Sequence, residues 1–274
     1  MPPTMLVYIQ QMIFPLPFML ASLFFFLLTF AGNPLLPFNN FESFKEKAFA
    51  NLWFTFGSIC ADDIPESLPP LLAQSKGLIL DVGPGSGEQV KRFTHPENIS
   101  AIYGVEPGVS LHDKLREKAK AAGLGGKYHV LGATADLDAI IPALIKTGLI
   151  GEGKTSSTDL QLFDEIVCLR VLCGVPDPAS SVADLYSLLK PGGRVVVFEH
   201  VLNTGHFPAR LAQKFYMLLG WQQLMGGCSL TRDTMDTFLK VAKAKDGGWA
   251  KVEMQQVDEF SPVKHVVGVL TKKS

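Results

Sequence analysis

The chain has 274 residues, 47% of them hydrophobic and 19% charged, with a formal net charge of −1. That length accommodates one large α/β domain plus an appendage. No basic stripe stands out, which argues against nucleic acid as a partner, because neutralising phosphates requires clustered Lys and Arg.

The first charged side chain is Glu42, and Met12 to Ala31 is almost wholly apolar. An uncharged apolar stretch of about 20 residues is long enough to cross a hydrocarbon core, so residues 1–40 are read as a membrane anchor. Pro15 and Pro17 leave only Phe18 to Ala31 as uninterrupted helix, and Pro34 and Pro37 follow closely. A re-entrant or monotopic insertion therefore competes with a crossing. A cleaved secretory signal is another alternative, although no Lys or Arg precedes the apolar run and no convincing A-x-A site follows it. A buried helix of a soluble domain is the remaining alternative. Residues 41–67 read as a connecting segment, in which Phe41 to Phe56 mixes aromatics with Lys45, Glu46 and Lys47. The helix predicted there lies on the membrane or over a ligand cleft, or simply packs on the domain.

From Leu68 onward, over residues 68–274, strands and helices alternate. The pattern predicts strands over 77–82, 101–105 and 127–131, with helices over 87–93, 110–122 and 136–146 between and after them. Residues 148–159, rich in Gly, Ser and Thr, read as a surface insertion. The pattern resumes with a strand over 163–169, a helix over 179–189 and a strand over 194–199 entered through a Pro-Gly-Gly turn. Helices over 208–224 and 231–244 and strands over 250–257 and 264–271 complete it. Such alternation implies a Rossmann-like, doubly wound, mostly parallel sheet with helices on both faces. The cysteines Cys60, Cys168, Cys173 and Cys228 form neither a C-x-x-C pair nor a secreted framework, and read as reduced thiols facing a cytosolic environment.

The most informative stretch is LILDVGPGSG, from Leu78 to Gly87, followed by Glu106 at the end of a second apolar run. An apolar run ending in an acid and then three glycines is a buried strand turning sharply, with Cβ atoms removed where a ligand lies close. Glu106 stands 23 residues beyond Gly83, where an open α/β sheet presents a carboxylate to ribose hydroxyls. The spacing is G-x-G-x-G, with Asp81 two residues ahead of it. A carboxylate there would repel a pyrophosphate but suits an ammonium and a sulfonium, which describes S-adenosylmethionine (SAM). The bland alternative is a glycine-rich turn with no ligand.

Taken together, DVGPGSG, GVEP, FDEIVCLRVLC and LLKPGGRVVVFEH resemble, in order and spacing, the class I SAM-dependent methyltransferases. More narrowly, VCLRVLCGVPD, FEHV and GGCSLTRDT are similar to the methyltransferase-like 7 family. The resemblance implies a seven-stranded sheet whose last strand runs antiparallel, and an apolar N-terminal anchor. It also implies methylation of small lipophilic acceptors, including alkyl thiols, at endoplasmic reticulum or lipid-droplet membranes, with the catalytic domain cytosolic. Two features depart from the family: the 148–159 insertion is longer than expected, and GATADLD matches its third motif loosely.

The cofactor residues expected are Asp81, Gly83, Gly85 and Gly87 around the methionine moiety and Glu106 on the ribose. By resemblance Asp136 meets the adenine edge, with a helix N-cap as its alternative role. An acceptor thiol or hydroxyl must lose its proton, and His200, just past the fifth strand, is the candidate base; a structural hydrogen-bonding role is its alternative. Strand alternation sends Glu199 to the opposite side. Cys173 and Cys228 read as small apolar residues rather than nucleophiles, since direct transfer to an external acceptor requires none. Thr231 or Asp233 caps a helix, leaving Arg232 to orient a substrate. Trp221, Phe215 and Tyr216 line an acceptor pocket or fill core. No metal is expected. Two other functions fit the same sequence: methylation of a quinone- or polyketide-type product in a biosynthetic pathway, and a SAM-binding membrane or lipid-droplet scaffold with little activity.

Overall fold

The computed structural model describes residues 3–151 and 160–274, so most of the predicted insertion, residues 152–159, lies outside the described residues. The chain opens with α1 (Met5–Ile13), α2 (Pro15–Gly32), the short α3 (Leu36–Asn39), α4 (Phe41–Asp62) and α5 (Leu68–Ala73). Strands β1 (Gly77–Val82), β2 (Ile99–Val105) and β3 (Tyr128–Leu131) follow, with α6 (His112–Ala121) between the last two and α7 (Leu137–Lys146) after them. The second half runs β4 (Phe163–Leu169), α8 (Pro178–Leu188), β5 (Leu189–His200), α9 (Phe207–Leu218), α10 (Trp221–Leu224), α11 (Thr234–Asp246), β6 (Lys251–Val257) and β7 (His265–Thr271).

All seven strands form one sheet in the order β3-β2-β1-β4-β5-β7-β6. β1 to β5 pair in parallel, and β7 runs antiparallel between β5 and β6. Alternation along β1 sets the two faces. Leu80 and Val82 point to the side covered by α7, α8 and α11, where they meet Ile140, Leu144, Leu185 and Phe238. Ile79 points to the other side, with Leu68 and Leu72 of α5 and Leu115 and Ala119 of α6. The parallel strands all end at one rim, where open α/β sheets bind ligands.

Three expected elements are corrected. The helix predicted over 87–93 is only a 3₁₀ turn at Val90–Arg92, because a short segment that starts from a left-handed Gly87 (φ 81°) cannot recover the cost of helix nucleation. The single helix predicted over 208–224 is two, α9 and α10, broken where Gly220 adopts φ 91°. The strand predicted to start at Arg194 begins at Leu189, the Pro-Gly-Gly residues being carried within it.

At the N-terminus the prolines interrupt less than the sequence suggested. Pro15 opens α2, where its missing N–H costs nothing, and α1 precedes it, so the apolar helical stretch runs from Met5 to Gly32. It is 28 residues long with mean hydropathy 2.2, enough by length and composition to cross a membrane. One side packs along α4, with the ring of Phe26 5.4 Å from Phe44 and that of Phe25 6.4 Å from Phe56. Leu20, Phe24, Leu27 and Leu28 stay exposed.

Candidate active site

The turn after β1 is held open by glycine. Gly83, Gly85 and Gly87 adopt φ of 62°, 59° and 81°, a region that side chains rarely enter. A Cβ on Gly83 would stand 2.4 Å from Val171, and one on Gly85 would stand 3.1 Å from the Trp53 indole nitrogen. That indole N–H is buried and has no hydrogen-bond partner among the described residues. So α4, through Trp53 stacked on Phe49, lies directly over the glycine turn, which favours the cleft-covering reading of this helix.

Glu106 closes the turn from the side. Its Oε2 accepts the Gly85 N–H at 2.8 Å and its Oε1 accepts the Gly108 N–H at 2.8 Å. Burial raises its pKa, and the same two backbone donors oppose that rise. Asp81, 5% exposed, sits beneath the turn and accepts the Tyr128 hydroxyl at 2.7 Å. The Tyr128 ring reaches it across Gly104, where any Cβ would collide at 2.6 Å. Burial pushes the Asp81 carboxyl up to about 7, against the pull of that hydroxyl. Asp136 caps α7, accepting the Ala139 N–H at 3.0 Å, and its second oxygen accepts the Thr134 hydroxyl at 2.5 Å.

A second cluster lies farther along the rim, past β4 and β5. Glu199 is fully buried and turned away from His200, as alternation requires. Its Oε1 accepts the N–H groups of Val171 and Leu172, both at 2.9 Å, and burial raises its pKa to about 7 in spite of them. Arg232 donates to the Leu172 carbonyl at 2.8 Å, so its guanidinium supports this loop. Asp233, not Thr231, caps α11 through the Asp236 N–H. The loop delivers Cys173 to His200 and Cys228: one donor atom from each of the three lies within 4.8 Å of the others, and Cys228 Sγ is 3.3 Å from His200 Nδ1. The Cys173 thiol is the main influence holding Cys228 well below its ordinary pKa, with His200 and Trp221 adding to it and burial opposing. Met19 of α2, Tyr216 and Trp221 pack around the two cysteines, whereas Phe215 faces outward at 54% exposure.

Arg170 is a residue that the sequence reading missed. It adopts φ 58°, donates to the carbonyls of Cys60 and Asp63 at 2.7 and 2.6 Å, and stacks 4.6 Å from the Phe198 ring. It thereby fastens the end of α4 to the sheet. Trp53 was equally invisible, because nothing local relates it to a turn 30 residues away.

Rim, glycine turn, partner acid and strand order together define a methyltransferase of the Rossmann-like type. The chain belongs to the methyltransferase domain family, which matches residues 55–257. It is similar to the thiol S-methyltransferase TMT1B of Rattus norvegicus, 34% identical over 84 residues, covering 31% of this chain and 34% of that one. The Homo sapiens protein of the same name is 34% identical over 71 residues, covering 26% of this chain and 29% of its own. These matches span about a third of the curated relatives' length. An O-methyltransferase family protein from Burkholderia thailandensis superposes with a TM-score of 0.55 at 14% identity, covering 85% of this chain and 60% of that structure, and so shares the fold.

Proposed function

We propose that this chain is a membrane-anchored methyltransferase that uses SAM to methylate a small lipophilic thiol. The observation that carries the cofactor is the junction of Glu106 with the glycine turn under an unpartnered Trp53 N–H. Positive-φ glycines leave a cradle that a Cβ would fill, and a carboxylate stands beside it for ribose hydroxyls. These residues fit SAM. Bound there, SAM would supply a methyl group on a sulfonium, whose carbon–sulfur bond would break, its electron pair staying on the departing thioether, as the acceptor lone pair bonds to the carbon.

The protein's part is placement, since alignment supplies much of the rate of an in-line displacement. Glu106 would hold the ribose, Asp81 would face the methionine end, where the cofactor's cationic groups would favour its ionised form, and Asp136 would stand at the adenine end with its cap bond retained. His200 activates the acceptor at the second cluster, where Met19, Tyr216 and Trp221 provide apolar walls for a lipophilic molecule. The thiol is favoured over other acceptors by the curated relatives, which are named as thiol S-methyltransferases.

The membrane part of the reading rests on the exposed face of α2 and on the contact that α1 makes with α9. Tyr216 of α9 donates to the carbonyl of Met12 in α1 at 2.7 Å, and Phe207, Leu211, Phe215 and Leu218 of α9 form an exposed apolar stripe. Endoplasmic reticulum or lipid-droplet membranes, with the domain on the cytosolic side, are the setting proposed.

Calorimetric titration with SAM, then turnover against a panel of lipophilic thiols and phenols, tests the proposal. SAM binding with methylation of thiols is the expected result, and His200→Ala should lower kcat by about 10²-fold with phenols and by less with thiols, part of which is already ionised at neutral pH, with SAM affinity nearly unchanged. No SAM binding, or binding without turnover of any acceptor, would overturn it.

A further inference from the structure

Three chain segments that are distant in sequence bring two sulfurs and an imidazole together. Cys173 follows β4, His200 ends β5, and Cys228 lies between α10 and α11. We propose that Cys173, His200 and Cys228 form a Zn²⁺ site whose open fourth position takes the acceptor thiol. The open position rests on the methyltransferase reading above; the metal site stands without it.

Geometry is the first argument. With Zn–S near 2.3 Å and Zn–N near 2.05 Å, a tetrahedral centre separates sulfur from nitrogen by about 3.6 Å and sulfur from sulfur by about 3.8 Å. Here Sγ of Cys228 and Nδ1 of His200 are 3.3 Å apart, and all three donors fall within 4.8 Å of one another. The sulfur–nitrogen edge needs adjustment of a few tenths of an ångström, and the edges to Cys173 need at most about 1 Å. The donor set is the second argument. Two thiolates and one imidazole suit zinc and disfavour magnesium or calcium, which require oxygen ligands. Of the nearby Glu199 carboxylate, Oε1 is engaged by the N–H groups of Val171 and Leu172, and the buried Oε2 has no partner among the described residues.

The surroundings hold the ligands in place. Ser229 N–H donates to the Cys173 carbonyl at 2.9 Å, Arg232 fixes the Leu172 carbonyl, and the Thr234 hydroxyl donates to the His200 carbonyl at 3.3 Å. Such outer contacts orient the ligands of metal sites. The buried Trp221 indole N–H makes no hydrogen bond of normal geometry among the described residues and lies against Cys228, where a metal-bound thiolate would be a stronger acceptor for it. Among the described residues the group has three members, the number that catalytic zinc sites contribute while keeping a position open.

The chemistry balances simply. An acceptor R–SH that binds the metal releases its proton to solvent and stays as thiolate, its sulfur lone pair directed to the methyl carbon. His200 then activates the acceptor as a ligand, without taking the proton itself.

The test uses the full chain in detergent micelles under reducing conditions. Elemental analysis should find about one zinc per chain, the stoichiometry of a single three-ligand site. After the zinc is stripped with a chelator, Co²⁺ should give the intense visible bands of a tetrahedral centre and a thiolate charge-transfer band. Cys173→Ser and Cys228→Ser, each checked for folding by thermal melting, should weaken Co²⁺ binding by more than the roughly 10- to 100-fold that an outer contact costs. Adding a small alkanethiol should shift the cobalt spectrum of the wild type. A zinc-free chain that ignores Co²⁺, including one holding a Cys173–Cys228 disulfide after reduction is attempted, would overturn the metal site. Cobalt bands that do not respond to thiol would overturn the open position. A metal-free chain that still methylates thiols defeats this inference alone; a metal-loaded chain that binds no SAM defeats the methyltransferase reading alone.

Discussion

The Glu106 carboxylate accepts the Gly85 N–H at 2.8 Å, joining the end of β2 to the turn that ends β1. Because its other oxygen holds Gly108, one side chain fixes both the glycine turn after β1 and the backbone that follows β2. Glu106→Ala should therefore weaken SAM binding by about 1–3 kcal/mol, the range for losing a charge-assisted partner. Calorimetric titration reads this directly, and an unchanged affinity would remove Glu106 from the cofactor site.

Gly83 has no room for a side chain and the wrong φ for one, with Val171 2.4 Å from any Cβ. Gly83→Ala should cost about 1–3 kcal/mol of stability from the left-handed backbone alone. Urea denaturation is the measurement. A loss under 0.5 kcal/mol, on the order of an ordinary surface change, would show that the turn adopts another conformation.

Asp81 makes stability depend on pH in an unusual direction. Its folded pKa is raised to about 7, so between about pH 4 and pH 7 the folded chain keeps a proton that the unfolded chain releases. Stability from this group is complete below pH 4 and is lost as pH rises toward 7, with a slope approaching about 1.4 kcal/mol per pH unit. Asp81→Asn keeps an acceptor for Tyr128 and removes the titration, so it should flatten that part of the profile. Denaturation midpoints for both chains from pH 4 to 8 decide it; parallel profiles would show that Asp81 is ionised in the folded state throughout.

The apolar stretch from Met5 to Gly32 should hold the chain in membranes through high salt and alkaline carbonate, because apolar burial does not respond to ionic strength. Replacing the exposed Leu20, Phe24 and Leu27 by Asp should release it, at about 2.5–3.5 kcal/mol per charge near a bilayer centre. Sedimentation of membrane fractions checks both. A triple variant that stays in the pellet would place the attachment elsewhere.

Much of this molecule is legible along the chain, because local patterns have local causes. The alternation of apolar residues around Leu80 marks β1, the glycines after it mark the turn, and Glu106 follows at the end of the next apolar run, which becomes the parallel neighbour β2. The apolar N-terminus is equally plain, although its prolines suggested a break that α2 absorbs by starting at Pro15. What the tertiary structure alone decided are the meetings between segments. Trp53 covers Gly85, the Tyr128 hydroxyl reaches Asp81, and Arg170 ties α4 to β5 only because helix and strands are packed side by side. Cys173, His200 and Cys228 are spaced 27 and 28 residues apart, a separation that carries no periodicity. Their convergence depends on β4 lying next to β5 and on the chain breaking at Gly220 to bring Cys228 back over the rim. Periodicity records which face of an element is buried, whereas contacts between elements are set by the order in which strands pair, and no local run of residues encodes that order.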